Sequence, residues 1–444
     1  MGSHDAADFD VAVLGAGAAG LCAAAELSRH GCSVVVLEAR ERIGGRIDTH
    51  WVPGLPYPIE LGAEFIHGDA PLTSELLRAA GIAAVDTAGN RIARRDGQLR
   101  ARDGDFGSVR ALLQPAGSLP QDLSVEQFLA RYAADPALEV ARSHVRMMVE
   151  GFDAADPQRA SVKAIAREWS GSSLEGQYRP LGGYAALMTH LEQTLDPARS
   201  RVMLATTVQA VDWGGQSVSI EARDAALCAV TLNARRAIVT LPISVLQLPA
   251  GAPGAVQFEP ALDDKRAALD GLALGPVIKV MLHFRRAFWE QLEHGRFSDA
   301  GFLHAAEAPF PTLWTALPFR VPLLTAWMGG PRAQLLAGAS REDLVDQALT
   351  SVQHVLGVDA LVSDELVAGY VHDWGADPHA RGAYSYLTVG GAQAPQALAQ
   401  PLRDALFFAG EATSADHSGT VEAALQSGRT AARAIIAMMR DREV

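Results

Sequence analysis

The spacing Gly15-x-Gly17-x-x-Gly20 constrains this 444-residue chain more than any other feature. It follows an apolar run, Val11 to Leu14, that reads as a buried parallel strand. It precedes an alanine-rich stretch, Leu21 to His30, that reads as a helix closed by Gly31. A second apolar run, Ser33 to Leu37, ends at Glu38. Strand, glycine turn, helix, strand and acid in this order make a βαβ unit for a dinucleotide. Gly15 permits the tight turn, Gly17 lets backbone approach a pyrophosphate, and Gly20 lets helix pack on strand. The helix N-terminus offers N–H groups to the phosphates, and Ala19 is expected at the cofactor with the glycines. Glu38 accepts hydrogen bonds from a ribose.

A plain dinucleotide unit does not need the extension Ala39-Arg40-Glu-Arg-Ile-Gly44-Gly45-Arg46. The two glycines let backbone come close to a phosphate or ribityl chain, and Arg46 neutralises pyrophosphate charge. The formal net charge of -13, from 38 basic and 51 acidic residues, argues against a general nucleic-acid surface. No apolar run reaches the length of a membrane span. Cys22, Cys32 and Cys228 have no metal-ligand spacing, and their odd, sparse count fits a reducing compartment. A first strand beginning near Phe9 leaves no visible leader, and Met1-Gly-Ser-His4 reads in part as a cloning scar. The expectation is a cytoplasmic protein with no metal and no nucleic-acid or membrane partner. Its oligomeric state is left open.

The run Gly15 to Gly20 followed by Leu37-Glu-Ala-Arg-Glu-Arg-Ile-Gly-Gly-Arg46 resembles the start of the flavin-dependent amine oxidases. That family includes monoamine oxidases, polyamine oxidases and flavin-type histone demethylases. Leu61-Gly62-Ala63-Glu64-Phe-Ile-His67-Gly68 is similar to the polyamine-oxidase version of a loop beside the flavin ring. The resemblance covers nearly the whole chain in five blocks and is weak between about residues 80 and 175. It implies FAD as cofactor. It also implies an α/β fold: a Rossmann-like FAD domain from segments 1–75, 195–265 and 395–444, with an inserted α+β substrate domain from 76–194 and 266–394.

The weak middle reads as mostly helical, with Ser124-Val-Glu-Gln127 as a capping box. His144, Met147 and Met148 read as core or interface residues. Leu181 to Leu187 opens a helix after a Gly-Gly turn. Val202 to Val211, Ser217 to Ala222, Ala226 to Leu232 and Ala237 to Pro242 read as successive strands. Pro276 to Phe284 alternates with period two, putting Ile278, Val280, Leu282 and Phe284 on one face and Val277, Lys279, Met281 and His283 on the other. From the strand alone, Lys279 is a solvated lysine. The last helix carries Arg429, Arg433, Arg440 and Arg442 and reads as packed on the domain.

The resemblance assigns more than the pattern does. It implies that the Val208 backbone binds adenine, that Lys279 holds a water against flavin N5, that Trp374 lines the flavin and that Tyr384 is a wall of the amine cage. In the closing block, Leu406 to Ala424, strand, turn and helix can bring Gly410 and Glu411 to the ribityl hydroxyls and aim Thr420 and Val421, at the helix N-terminus, at the flavin C2 carbonyl. Ala383 stands where covalent monoamine oxidases have cysteine, which implies non-covalent FAD. Thr420 stands where those enzymes have a second cage tyrosine, which leaves the cage half open.

The reaction implied is oxidation of the C–N bond of a primary, secondary or polyamine to an imine, with O2 reoxidising the flavin to give H2O2. The alternatives are an L-amino-acid oxidase or desaturase of the same fold, and a flavin-holding protein without turnover. Catalysis is expected at Lys279 and Tyr384. Glu64, His67, Tyr384 and Thr420 are expected at the substrate. Glu64 attracts a distal ammonium and His67 senses its protonation, or else Glu64 bonds only flavin or backbone and His67 is a satisfied neighbour.

Overall fold

The structure is a computed structural model that describes residues 7–87, 89–95, 98–101, 105–170, 176–358, 361–415 and 417–440. Met1 to His4, Asp416 and Arg442 lie outside the described residues. The glycine motif forms as the spacing predicts. β1 (Phe9–Leu14) runs parallel to β2 (Val34–Leu37), with Ala12 opposite Val35. Between them α1 (Ala18–Arg29) starts directly after its N-cap, Gly17, earlier than the expected start at Leu21. Alternate residues of both strands enter two different cores. Val11, Val13, Val34 and Val36 pack under α1, and Ala12, Leu14, Val35 and Leu37 pack on the opposite face. A near-continuous apolar run therefore marks a strand buried on both sides. Each such valine or leucine contributes about 1.5–3 kcal/mol of burial.

This pair belongs to an eight-stranded sheet. Ser200–Met203 lies parallel outside β2. The strand Ala229–Val239 runs parallel to β1 through its second half, and there it also pairs with Leu406–Phe408. Its first half turns antiparallel to Val218–Arg223, which pairs in turn with Thr207–Asp212. Two strand expectations are corrected here. Val202 to Val211 is not one strand: it breaks at Ala205, whose φ is 48°, because Ala205 and Thr206 donate N–H groups to the Arg40 and Glu38 carbonyls. The expected strands at 226–232 and 237–242 are one continuous element that serves both the meander and the parallel layer.

A seven-stranded mixed sheet forms the second layer system, in the order Leu366–Asp373, Val277–Phe284, Leu323–Gly329, Thr312–Thr315, Ala300–His304, Asn90–Arg95 and Gln98–Ala101. Its last two strands open a segment that is otherwise mostly helical, as expected. Helices do follow them, among them Val125–Ala130 with the expected reciprocal capping box between Ser124 and Gln127. Period two sorts the sheet's faces. Ile278, Val280, Leu282, Phe284, Leu303, Leu313, Ala326 and Met328 join the core under the helix Arg341–Leu356. Lys279, Phe302, His304, Thr312, Trp314 and Trp327 line the opposite side, a cavity.

The closing helix, Val421–Arg440, packs along α1. A Cβ on Gly428 would stand 2.1 Å from the Ala19 carbonyl oxygen, so the crossing requires glycine there. Arg429 pairs with Glu75 at 2.8 Å and Arg433 with Glu26 at 2.9 Å, which ties this helix to the domain as expected. No helix among the described residues is long and apolar enough to cross a membrane.

Candidate active site

One cavity of about 640 Å³ runs between the two sheets. Its first end is the glycine turn. Gly15 holds a φ of 112° and Gly44 one of 101°, which only glycine adopts easily. Gly44 N–H donates to the Ala16 carbonyl at 2.8 Å, so the two glycine-rich turns lie against each other. A Cβ on Gly45 would stand 3.3 Å from the Gly17 Cα. The Glu38 carboxylate is fixed by the Ala16 N–H at 2.8 Å and the Arg40 N–H at 2.9 Å. This cradle, an open helix N-terminus beside an oriented acid, fits the phosphate and ribose end of a dinucleotide.

Gly15, Gly17, Ala19, Glu38, Ala39, Arg40, Gly45, Arg46, Gly62, Ala63, Glu64, His67, Val208, Lys279, Trp374, Tyr384, Gly410, Glu411, Thr420 and Val421 all line this cavity. Gly20 does not: a Cβ there would lie 1.9 Å from the Gly15 carbonyl oxygen, the close packing of helix on strand expected of it, and it belongs to the cofactor motif through that packing. Arg46 donates to Glu411 at 2.9 Å and to the Ala383 carbonyl at 2.6 Å, and Ser385 Oγ donates to Glu411 at 2.6 Å. These bonds join the first glycine block to the last block across the cavity.

The other end is aromatic. Tyr384 lies nearly parallel to Trp327 at 6.4 Å between ring centroids, Trp327 meets Trp314 at 5.6 Å, and Trp314 meets Phe65 at 5.6 Å. Phe65 meets His67 at 5.9 Å and His67 meets Phe152 at 5.8 Å. Tyr384 Oη donates to the Phe152 carbonyl at 2.5 Å and closes the circuit. The half-open cage expected from Thr420 is thus walled from another side, by Trp327 and Trp314 of the seven-stranded sheet. Thr420 itself caps the closing helix: its Oγ1 accepts from Ala423 N–H at 3.1 Å and donates to the His417 carbonyl at 2.7 Å. Its hydroxyl serves the helix start while the residue lines the cavity.

Lys279 is only 1% exposed, and its Nζ donates to Glu64 Oε2 at 2.7 Å and to the Gly62 carbonyl at 3.2 Å. Arg179, 2% exposed, donates to Glu64 Oε1 at 3.0 Å, and Trp314 Nε1 lies 3.1 Å from both Glu64 oxygens. Burial alone would raise the Glu64 carboxyl, but the charges of Lys279 and Arg179 outweigh it and hold it below its ordinary value. Glu64 is therefore an ionised carboxylate with two cations and an indole on it. That corrects its expected role as a receptor for a distal ammonium. Burial pushes His67 down to about 4, which favours a neutral imidazole. Tyr384 is pushed well up, first by burial and then by Asp153 and Glu168, and stays a neutral phenol.

Met147 and Met148 line the cavity, together with Phe152, Asp153 and Glu168, and Met148 also packs on a hydrophobic core as expected. Nothing local in their segment marks them. They come to the site because Trp327 Nε1 and Tyr384 Oη bond the consecutive carbonyls of Gly151 and Phe152. No group of three or more metal-ligating side chains occurs among the described residues.

A phosphate cradle, an oriented acid and a cavity leading to aromatic walls define a dinucleotide-cofactor protein. The family model for flavin containing amine oxidoreductases matches residues 18–436, and the chain belongs to that family. It is a flavin-containing amine oxidase that acts on amines, and its cofactor is FAD, which the cradle fits. Polyamine oxidase 2 of Arabidopsis thaliana is 29% identical over 458 residues, which span 95% of this chain and 87% of that relative. Lysine-specific histone demethylase 2 of Homo sapiens is 24% identical over 451 residues, 94% of this chain but 52% of its own length. In fold the chain is similar to cyclohexylamine oxidase from Brevibacterium oxydans IH-35A, with a TM-score of 0.80 at 22% identity covering 98% of this chain and 100% of that one. Putrescine oxidase bound to putrescine gives a TM-score of 0.79 at 22% identity, covering 97% and 99%.

Proposed function

We propose that the chain binds FAD non-covalently along the cavity and oxidises an amine at the aromatic end, with O2 as electron acceptor and H2O2 as product. In this reading segments 1–75, 195–265 and 395–444 hold the cofactor, and segments 76–194 and 266–394 hold the substrate. The observation that carries it is the continuity of one cavity from the Gly15 and Glu38 cradle to Lys279 and Tyr384. Relatives named for polyamines, and neighbours named for putrescine and cyclohexylamine, support an amine of primary or secondary type. Three cysteines with no disulfide among them support a cytoplasmic setting.

When bound, FAD supplies the acceptor for two electrons and a proton from the carbon next to nitrogen, leaving an imine that water hydrolyses. The chain's own residues do the rest. The aromatic walls exclude water and so favour the unprotonated form of the reacting nitrogen. Tyr384 and Trp327 orient it between ring faces. Lys279 gives one N–H to Glu64 and one to Gly62, which leaves its third for a water or the amine. Ala383 offers no thiol, and none of the three cysteines lines the cavity. Acid precipitation should therefore release yellow flavin into the supernatant. Adding a reactive amine to aerated holoprotein should consume oxygen with an equal amount of H2O2. Flavin left on the pellet counts against non-covalent binding, and oxygen uptake without H2O2 counts against the oxidase step.

A further inference from the structure

Trp374 lines the cavity, and one ring among the described residues stacks on it. That ring is His372, two residues earlier, at 3.8 Å between centroids and 29° between planes. His372 itself does not line the cavity, so the imidazole backs the indole from outside. It stands on the strand Leu366–Asp373 directly opposite Lys279, whose partner on the other neighbouring strand is Trp327. Three adjacent strands thus place an imidazole, an ammonium and an indole in one row, and of the three only the imidazole is kept out of the cavity.

Two buried acids hold His372 at its edges. Nε2 lies 3.0 Å from Asp377 Oδ2, and Nδ1 lies 3.6 Å from Asp48 Oδ2. Burial alone would raise the Asp377 carboxyl, but the bonds from His372 and Arg40 outweigh it and hold it well below its ordinary value. An ionised carboxylate only accepts, so Nε2 carries a proton and donates it. Asp377 Oδ1 accepts from Arg40 Nη2 at 2.7 Å and from the His379 and Ala380 N–H groups at 2.9 and 3.0 Å. Asp48 pairs with Arg42 at 3.1 Å and His50 at 3.0 Å. Arg40 and Arg42 belong to the extension after Glu38, and Arg40 reaches the cavity there. The Trp374 indole has one hydrogen bond of its own, from Nε1 to the Leu61 carbonyl at 2.9 Å. A single bond at one corner does not fix the tilt of a ring, whereas a face-on partner clamped at its edges does.

We propose that His372 is a positioning residue for the flavin: stacked behind Trp374 and bonded through Asp377 to Arg40, it sets the plane of the wall beside the cofactor's ring system. This rests on the reading that FAD occupies the cavity with Trp374 beside its rings, and adds what holds that wall in place. His372 acts through the indole and not on the substrate. Its removal orphans neither acid, because Asp377 keeps Arg40 and two backbone donors and Asp48 keeps Arg42 and His50. What disappears is the ring behind Trp374, and with it the link from the Arg40 end of the cradle to the flavin wall.

The test compares FAD-loaded wild type with His372→Ala, His372→Phe and His372→Gln. Phenylalanine keeps a ring on Trp374 without the edge bonds, and glutamine keeps a donor for Asp377 without the ring. Three quantities are read: the visible circular dichroism of the bound flavin, the rate at which diluted holoprotein releases fluorescent FAD, and kcat and KM with putrescine or cyclohexylamine, whichever bleaches the wild-type flavin faster. His372→Ala should alter the dichroism, release FAD about three- to tenfold faster and lower kcat about tenfold, with KM held within about threefold. His372→Phe should recover most of each loss and His372→Gln little. If His372→Ala fails to fold, the other two variants decide. An alanine variant equal to wild type in all three readouts overturns the proposal. So does recovery by glutamine but not by phenylalanine, or equal loss in all three variants, which leaves His372 a part of the fold only. Absence of bleaching in wild type counts against the amine-oxidase reading, whereas dichroism and FAD release still decide the role of His372.

Discussion

Replacing Glu64 with alanine should cost the protein about 3–5 kcal/mol of stability, more than any other single change at the site. The carboxylate stands between two cations that solvent does not reach, Lys279 at 2.7 Å and Arg179 at 2.9 Å. Arg179 keeps the carbonyls of Thr315 and Leu317, and Lys279 keeps that of Gly62. Neither set of carbonyls supplies a counter-charge, so the variant leaves two buried positive charges facing each other. Glu64→Gln keeps an acceptor without the charge and should fall between wild type and alanine. The measurement is the apparent Tm and the flavin retained after purification. A Glu64→Ala protein that melts with wild type and keeps its flavin would show that Glu64 does not hold these cations together.

Lys279→Met should have the opposite profile: folded, flavin-loaded protein with flavin turnover slowed about a hundredfold or more. Methionine is close to lysine in length and suits a strand position enclosed on both faces. Removing the ammonium leaves Glu64 still bound by Arg179 and the Trp314 indole, so its charge is not orphaned. What is lost is a cation beside the amine site with an N–H to spare after its bonds to Glu64 and Gly62. Rapid mixing of the variant with amine and then with oxygen separates the reductive from the oxidative half-reaction. Equality with wild type in both would make Lys279 a structural partner of Glu64 and nothing more.

The contrast between these two residues shows what a reader of the chain can and cannot see. The glycine cradle is local: Gly15, Gly17 and Glu38 lie within one βαβ unit, and period and spacing place them together. Lys279 is not local. Alternation along Val277–Phe284 gives its face correctly, but the same alternation describes a lysine in water. What buries it is Glu64, 215 residues earlier, and Trp327, its partner on the neighbouring strand. Glu64 is legible as a residue of the flavin-side loop, whereas its neutralisation is not, because Arg179 enters from a separate short strand, Gln177–Pro180. Trp327 is invisible in sequence for the same reason. It is ordinary in its own segment and acquires a role only through bonds across the cavity. Gly20 is legible for the same reason as the cradle, since the spacing that marks it also gives its packing role.

The central claim is that amines reduce the flavin held in this cavity, and anaerobic mixing of the holoprotein with a panel of substrates tests it most directly. The panel is alkylamines, an aryl amine, diamines, spermidine, L-amino acids and a polyene. The readout is the loss of oxidised-flavin absorbance at roughly 450 nm. The account predicts rapid bleaching by amines and none by the polyene. Bleaching by L-amino acids or the polyene alone, or by no member of the panel, would contradict it.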